Sequence, residues 1–167
     1  MIIVAALLAM AACGAGSREQ VRPTAHDFRD EDLYEIPAPA AAILEQSDHF
    51  ELLSLDPRRQ MNGADGFHGF KVLGTAVISD SEIRRQLVSA FERAVAEKPG
   101  AIAACFNPRH GIRVTKHRER ADFVICFECR QVQVSYGEAQ GEFLINNSAK
   151  SLFDSVLQTR GLPLPDK

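Results

Sequence analysis

The chain has 167 residues, 46% of them hydrophobic and 25% charged, with a net charge of −3. That is the composition of one folded domain with a full core, and the mild acidity gives no electrostatic reason to expect a nucleic-acid partner. No internal apolar run is long enough to span a bilayer.

The N-terminus differs from the rest. Residues 1–12, MIIVAALLAMAA, form an unbroken apolar run of signal-peptide length that ends in small residues before Cys13. The segment LAMAAC resembles the lipobox of bacterial lipoproteins, with Met10 where Leu is commoner and Ala11 and Ala12 as the small residues. The resemblance implies cleavage after Ala12, a diacylated Cys13 thiol and acylation of the new N-terminus. Several acyl chains anchor a protein firmly, whereas a single chain binds only marginally. Gly14, following the cysteine, resembles the outer-membrane sorting pattern. The expected place is therefore the cell envelope, lipid-anchored and facing the periplasm. Residues 13–48 read as the lipidated cysteine and a flexible tether, mixing Gly, Ser and Pro with the acidic Asp30, Glu31 and Asp32. Tyr34 and Ile36 could dock on the domain beyond.

The folded domain is expected over 49–167. FELLSLD reads as a strand stopped by Asp56-Pro57, RRQMNGADGFHG as a polar Gly-rich loop, and FKVLGTAVIS as a second strand. The period then changes. Ile83, Leu87, Phe91, Ala94 and Val95 lie on one face of an amphipathic helix over 79–98. Ser79 and Glu82 form a capping box for it, and Pro99-Gly100 stops it. AIAACF, GIRVTK, the run from Phe123 to Tyr136, and GEFLIN read as further strands, with a hairpin turn at 117–120. A second helix is expected over 148–160, with Leu152, Phe153, Val156 and Leu157 inward and Gly161 as its stop. The order predicts an α+β domain, a mostly antiparallel sheet with two helices packed on one face.

With Cys13 assigned to lipid, Cys105, Cys126 and Cys129 remain. The motifs CFNPRHGI and CFEC, the hairpin between them and the ending GLPL resemble a widespread bacterial family of small exported proteins, over residues 50–164. That resemblance implies an anchored, exported domain and assigns no activity. Read physically, Cys126 and Cys129 on one straight strand would face opposite ways, about 10 Å apart, too far for a disulfide or a shared metal. The apolar parity switches along this run, from Phe123, Ile125 and Phe127 to Val132, Val134 and Tyr136. A one-residue bulge near Cys129 would restore a single inward face.

Four readings follow. Cys105 could pair across strands with Cys126 or Cys129, as export favours oxidation. The thiols could be buried small hydrophobes. Cys105, His110, Cys126 and Cys129 could form a Cys3His zinc site, zinc being the one cofactor the residues suggest. Cys105 could instead serve as a redox thiol or nucleophile, activated by His110 or Arg109. The turn NPRHG is expected to project Arg109 and His110 together, either towards an anion or with Arg109 paired to Glu128. No Ser-His-Asp spacing, phosphate loop, dinucleotide fingerprint or paired-carboxylate motif is present. The sequence thus reads as a binding or structural module of unassigned partner, with a thiol redox or metal-binding protein as the alternative.

Overall fold

The computed structural model describes residues 32–59 and 66–165. Cys13 and the apolar run before it lie outside the described residues. A short 3-10 turn at Asp32–Tyr34 leads into helix α1, Ala38–Glu45. Six strands and two more helices follow: β1 His49–Arg59, β2 Phe70–Val77, α2 Ser81–Ala96, β3 His110–Lys116, β4 Glu119–Cys126, β5 Gln131–Tyr136, β6 Ala139–Leu144 and α3 Lys150–Thr159. The strands make one antiparallel sheet in the order β2-β1-β3-β4-β5-β6. Among the described residues no helix is long and apolar enough to cross a membrane.

The expected pair of helices on one face is not what forms. Among the described residues the fold is mostly β, with 37% of them in strands against 29% in helices, and it has three α-helices. The additional one, α1, falls within the stretch read as tether. Its alanines are strong helix formers, Pro39 sits where its missing N–H costs nothing, and Ala40, Ile43 and Leu44 are buried at helical spacing. These side chains join a core that also takes Leu87, Phe91 and Val95 from α2 and Phe153 and Leu157 from α3. Alternate strand residues supply the other side of that core, among them Phe50, Ile112, Phe123, Val132 and Phe143. Phe91 stands at its centre, its ring 5.5 Å from Phe123, 6.1 Å from Phe143 and 6.4 Å from Phe153. The opposite sheet face carries a smaller cluster, Leu53, Leu55, Phe70 and Val124, covered by Phe67 and Phe106.

Three local expectations are also corrected. The N-cap of α2 is Asp80, not Ser79: its carboxylate accepts from the N–H groups of Glu82 and Ile83 at 2.8 and 3.1 Å. AIAACF is not a strand. Both sides of β3 are already paired, with β1 and β4, so the chain entering β3 has no free edge beside it, and it passes over the β4–β5 turn instead. Finally, the run from Phe123 to Tyr136 is two strands joined by a turn at 127–130, with Arg130 in the left-handed region at φ 61°. Ile125 faces Val132 and Phe123 faces Val134 across this hairpin. Partners of opposite parity share one face, so the parity switch marks a chain reversal and no bulge is needed.

Candidate functional site: a three-cysteine cluster

The reversal places the cysteines. Cys126 ends β4 and Cys129 lies in the turn, so the two side chains fold towards each other instead of pointing to opposite faces. Their sulfurs are at disulfide distance, with Cα atoms 5.2 Å apart. The disulfide expected to join Cys105 to Cys126 or Cys129 is therefore replaced by Cys126–Cys129, with Cys105 a free cysteine, because the straight-strand separation that argued against chemistry between Cys126 and Cys129 does not apply across a turn.

Cys105 arrives from the segment between α2 and β3. Pro99-Gly100 ends the helix, and residues 97–109 run irregularly across the end of the β4–β5 hairpin. Several contacts seat this segment. Gln131 Nε2 donates to the Ala103 carbonyl at 2.9 Å, Asn107 N–H donates to Cys129 Sγ at 3.3 Å, and Phe106 packs edge-on to Phe70. Cys105 Sγ is thereby held 2.8 Å from Cys129 Sγ. Cys129 N–H donates to Cys126 Sγ at 3.1 Å, and Cys126 Sγ lies 3.4 Å from the Asn107 carbonyl, which can accept from that thiol when it is reduced. Access is unequal: Cys126 and Cys129 are fully buried, while Cys105 is exposed.

His110 does not join the sulfurs. It faces Ile125 across the β3–β4 ladder, and so lies on the sheet face opposite to the neighbouring Cys126. There Nε2 donates to Asp154 Oδ1 at 2.8 Å, Lys150 Nζ donates to Asp154 Oδ2 at 2.5 Å, and the ring sits edge-on to Phe127 and Phe153. Nδ1 is buried without a hydrogen-bond partner. Burial alone would raise the Asp154 pKa, but hydrogen bonds from His110 and Lys150 hold it below the usual carboxylate value. The Cys3His zinc set therefore does not converge. Among the described residues no group of three His, Cys, Asp or Glu side chains is arranged for a metal ion. Arg109 and His110 also diverge, since Arg109 turns to Glu128 with Nη1 to Oε2 at 3.3 Å.

A second polar cluster escaped sequence reasoning. Asp122 is buried on the outer sheet face, gripped by Arg113 through two bonds of 2.9 Å and by His68 Nε2 at 2.9 Å. Burial pulls its pKa upward, but the Arg113 and His68 hydrogen bonds outweigh that and hold it at about 2. The signal available was Asp122 within an apolar strand pattern, since a buried carboxylate requires partners. The cluster pins the returning loop at Phe67–His68 to β3 and β4, with Arg113 also stacked on the Phe67 ring at 5.1 Å.

No protein-family model, curated protein or solved structure matches this chain.

Proposed function

We propose that this is a lipid-anchored protein of the cell envelope, held by acyl chains on Cys13, whose working part is a thiol–disulfide exchange site of Cys105, Cys126 and Cys129. The observation that carries the reading is the third sulfur: Cys105 Sγ lies 2.8 Å from a Cys129 Sγ that is already at disulfide distance from Cys126. In the exchange, the Cys105 thiolate attacks Cys129 Sγ, the Cys126–Cys129 bond breaks as the Cys105–Cys129 bond forms, and the electron pair leaves on Cys126 Sγ. The Cys105 proton goes to solvent, to which that residue is open. The departing Cys126 sulfur is met by the Cys129 N–H at 3.1 Å, and once protonated it can donate to Asn107 O. No net oxidation occurs.

Chain entropy also favours a working disulfide over a staple. The Cys126–Cys129 link spans a sequence separation of 3, and Cys105–Cys129 one of 24. Closing the short loop removes about 2 kcal/mol of unfolded-chain entropy, against about 3.5 kcal/mol for the long one. A Cys105–Cys129 bond would thus restrain the unfolded chain more than the Cys126–Cys129 bond does. An exported location supplies the oxidising surroundings that the site requires.

The test is disulfide mapping after acid quench from a glutathione redox buffer. Wild type is expected to yield both Cys126–Cys129 and Cys105–Cys129, Cys105→Ser only the first, and Cys126→Ser only the second. Wild type that keeps Cys126–Cys129 alone, with Cys105 always free to alkylate, overturns the exchange reading. For the anchor, Cys13→Ser is expected to lose fatty-acid labelling and leave the membrane fraction; retained labelling overturns it.

A further inference from the structure

We infer, resting on that exchange reading, that Cys105 is a relay between a sealed disulfide and an external protein dithiol, and that the substrate is a cysteine pair in an extended, apolar-flanked polypeptide segment. Exchange requires the attacking sulfur to reach its target along the S–S axis. Cys126 and Cys129 are each 0% exposed, so no external thiol reaches either one directly. Cys105 touches Cys129 on one side and is open to solvent on the other.

The surroundings of Cys105 indicate what it meets there. Ala101, Ile102, Ala103 and Ala104 are all exposed, and they run directly into the cysteine. Ile102, 48% exposed, is one of the two large hydrophobic side chains left open among the described residues. The segment belongs to no strand or helix, yet it is anchored at Ala103 and at Asn107, so an uncovered apolar strip is presented beside the reactive sulfur. An unfolded or extended chain has apolar side chains to cover that strip and a thiol to present beside it, which small polar thiols do not combine.

The reaction balances without a further reagent. The disulfide first shifts to Cys105–Cys129. A substrate thiolate then attacks Cys105 Sγ, forming a substrate–Cys105 mixed disulfide and releasing Cys129 as thiolate. The second substrate thiolate attacks its partner's sulfur, closing the substrate disulfide and releasing Cys105. Two electrons pass from the substrate dithiol to the protein disulfide, and the released thiolates take up the two protons that the substrate thiols lost.

The experiment is a single-turnover assay on the oxidised full chain, with reduced glutathione and with two dithiol peptides sharing a Cys-Gly-Ser-Cys core. One peptide is flanked by Leu and Ile, the other by Ser and Asn at equal charge. Wild type is expected to react about tenfold faster with the apolar-flanked peptide. Cys105→Ser and Cys105→Ala, whose intact masses report the retained Cys126–Cys129 disulfide, are expected to lose at least 100-fold in rate with every thiol. Ile102→Asp is expected to bring the peptide ratio close to one. Cys105 variants reduced at the wild-type rate overturn the relay. Equal peptide rates in wild type overturn the apolar substrate. A wild type inert to all three thiols instead sinks the exchange reading on which the inference stands.

Discussion

At the scale of single residues, burial and partners decide what each titratable group can do. Asp122 is the sharpest case, with a folded pKa of about 2 against an ordinary 3.8. A lowered carboxylate pKa stabilises the fold fully above the ordinary value, and that contribution disappears as pH falls through the folded value. The shift corresponds to about 2 kcal/mol. Asp122→Asn is therefore expected to lower the unfolding free energy by about 2 kcal/mol near neutral pH, and its stability should fall less than wild type between about pH 4 and pH 2. Guanidinium unfolding across that range checks both. The residue scale is also where sequence reasoning was weakest. Arg109 meets Glu128 as expected, but His110, its immediate neighbour, faces α3 on the other side of the sheet. Which groups meet a strand residue depends on the elements packed against each face, and neighbours in sequence do not reveal them.

At the scale of elements, α2 was legible almost to the residue because its apolar spacing, its acidic first turn and its Pro-Gly stop all agree. Its cap was displaced by one residue, since Asp80 and Ser79 are both competent acceptors and only backbone geometry chooses between them. Asp80→Ala is expected to cost about 1 kcal/mol through the loss of both cap bonds, read by thermal unfolding. On the same helix, Phe91→Ala should cost about 3–5 kcal/mol, because it empties the site where Phe123, Phe143 and Phe153 meet. A urea titration measures it. The misread element is the run from Phe123 to Tyr136. Its turn, Phe127-Glu128-Cys129-Arg130, has no Gly, Pro or Asn to mark it. Phe127 and Cys129 are instead buried in the turn, so tertiary packing supplies what turn chemistry normally announces. The parity switch was the one local trace of the reversal.

At the scale of the whole molecule, the three helices and the sheet enclose one large core, while the cysteine cluster sits at the end of the β4–β5 hairpin, beneath the segment that joins α2 to β3. The disulfide there is buried but belongs to neither apolar cluster, and it closes a very short loop. Reduction is accordingly expected to lower the unfolding free energy by only about 2 kcal/mol and to leave the domain folded. Denaturant titrations with and without a strong reductant check this, and collapse of the domain on reduction would show the bond to be structural.

The sequence by itself determined helices α2 and α3 and the β3–β4 hairpin, because side-chain spacing and local turn residues act over short stretches of chain. Only the tertiary structure decided that Cys126 and Cys129 meet, that Cys105 joins them and that His110 does not. Those outcomes depend on a chain reversal without its usual markers and on the lack of an open edge beside β3. Both follow from packing between residues far apart in the chain, of which the parity switch in the run 123–136 is the one local trace.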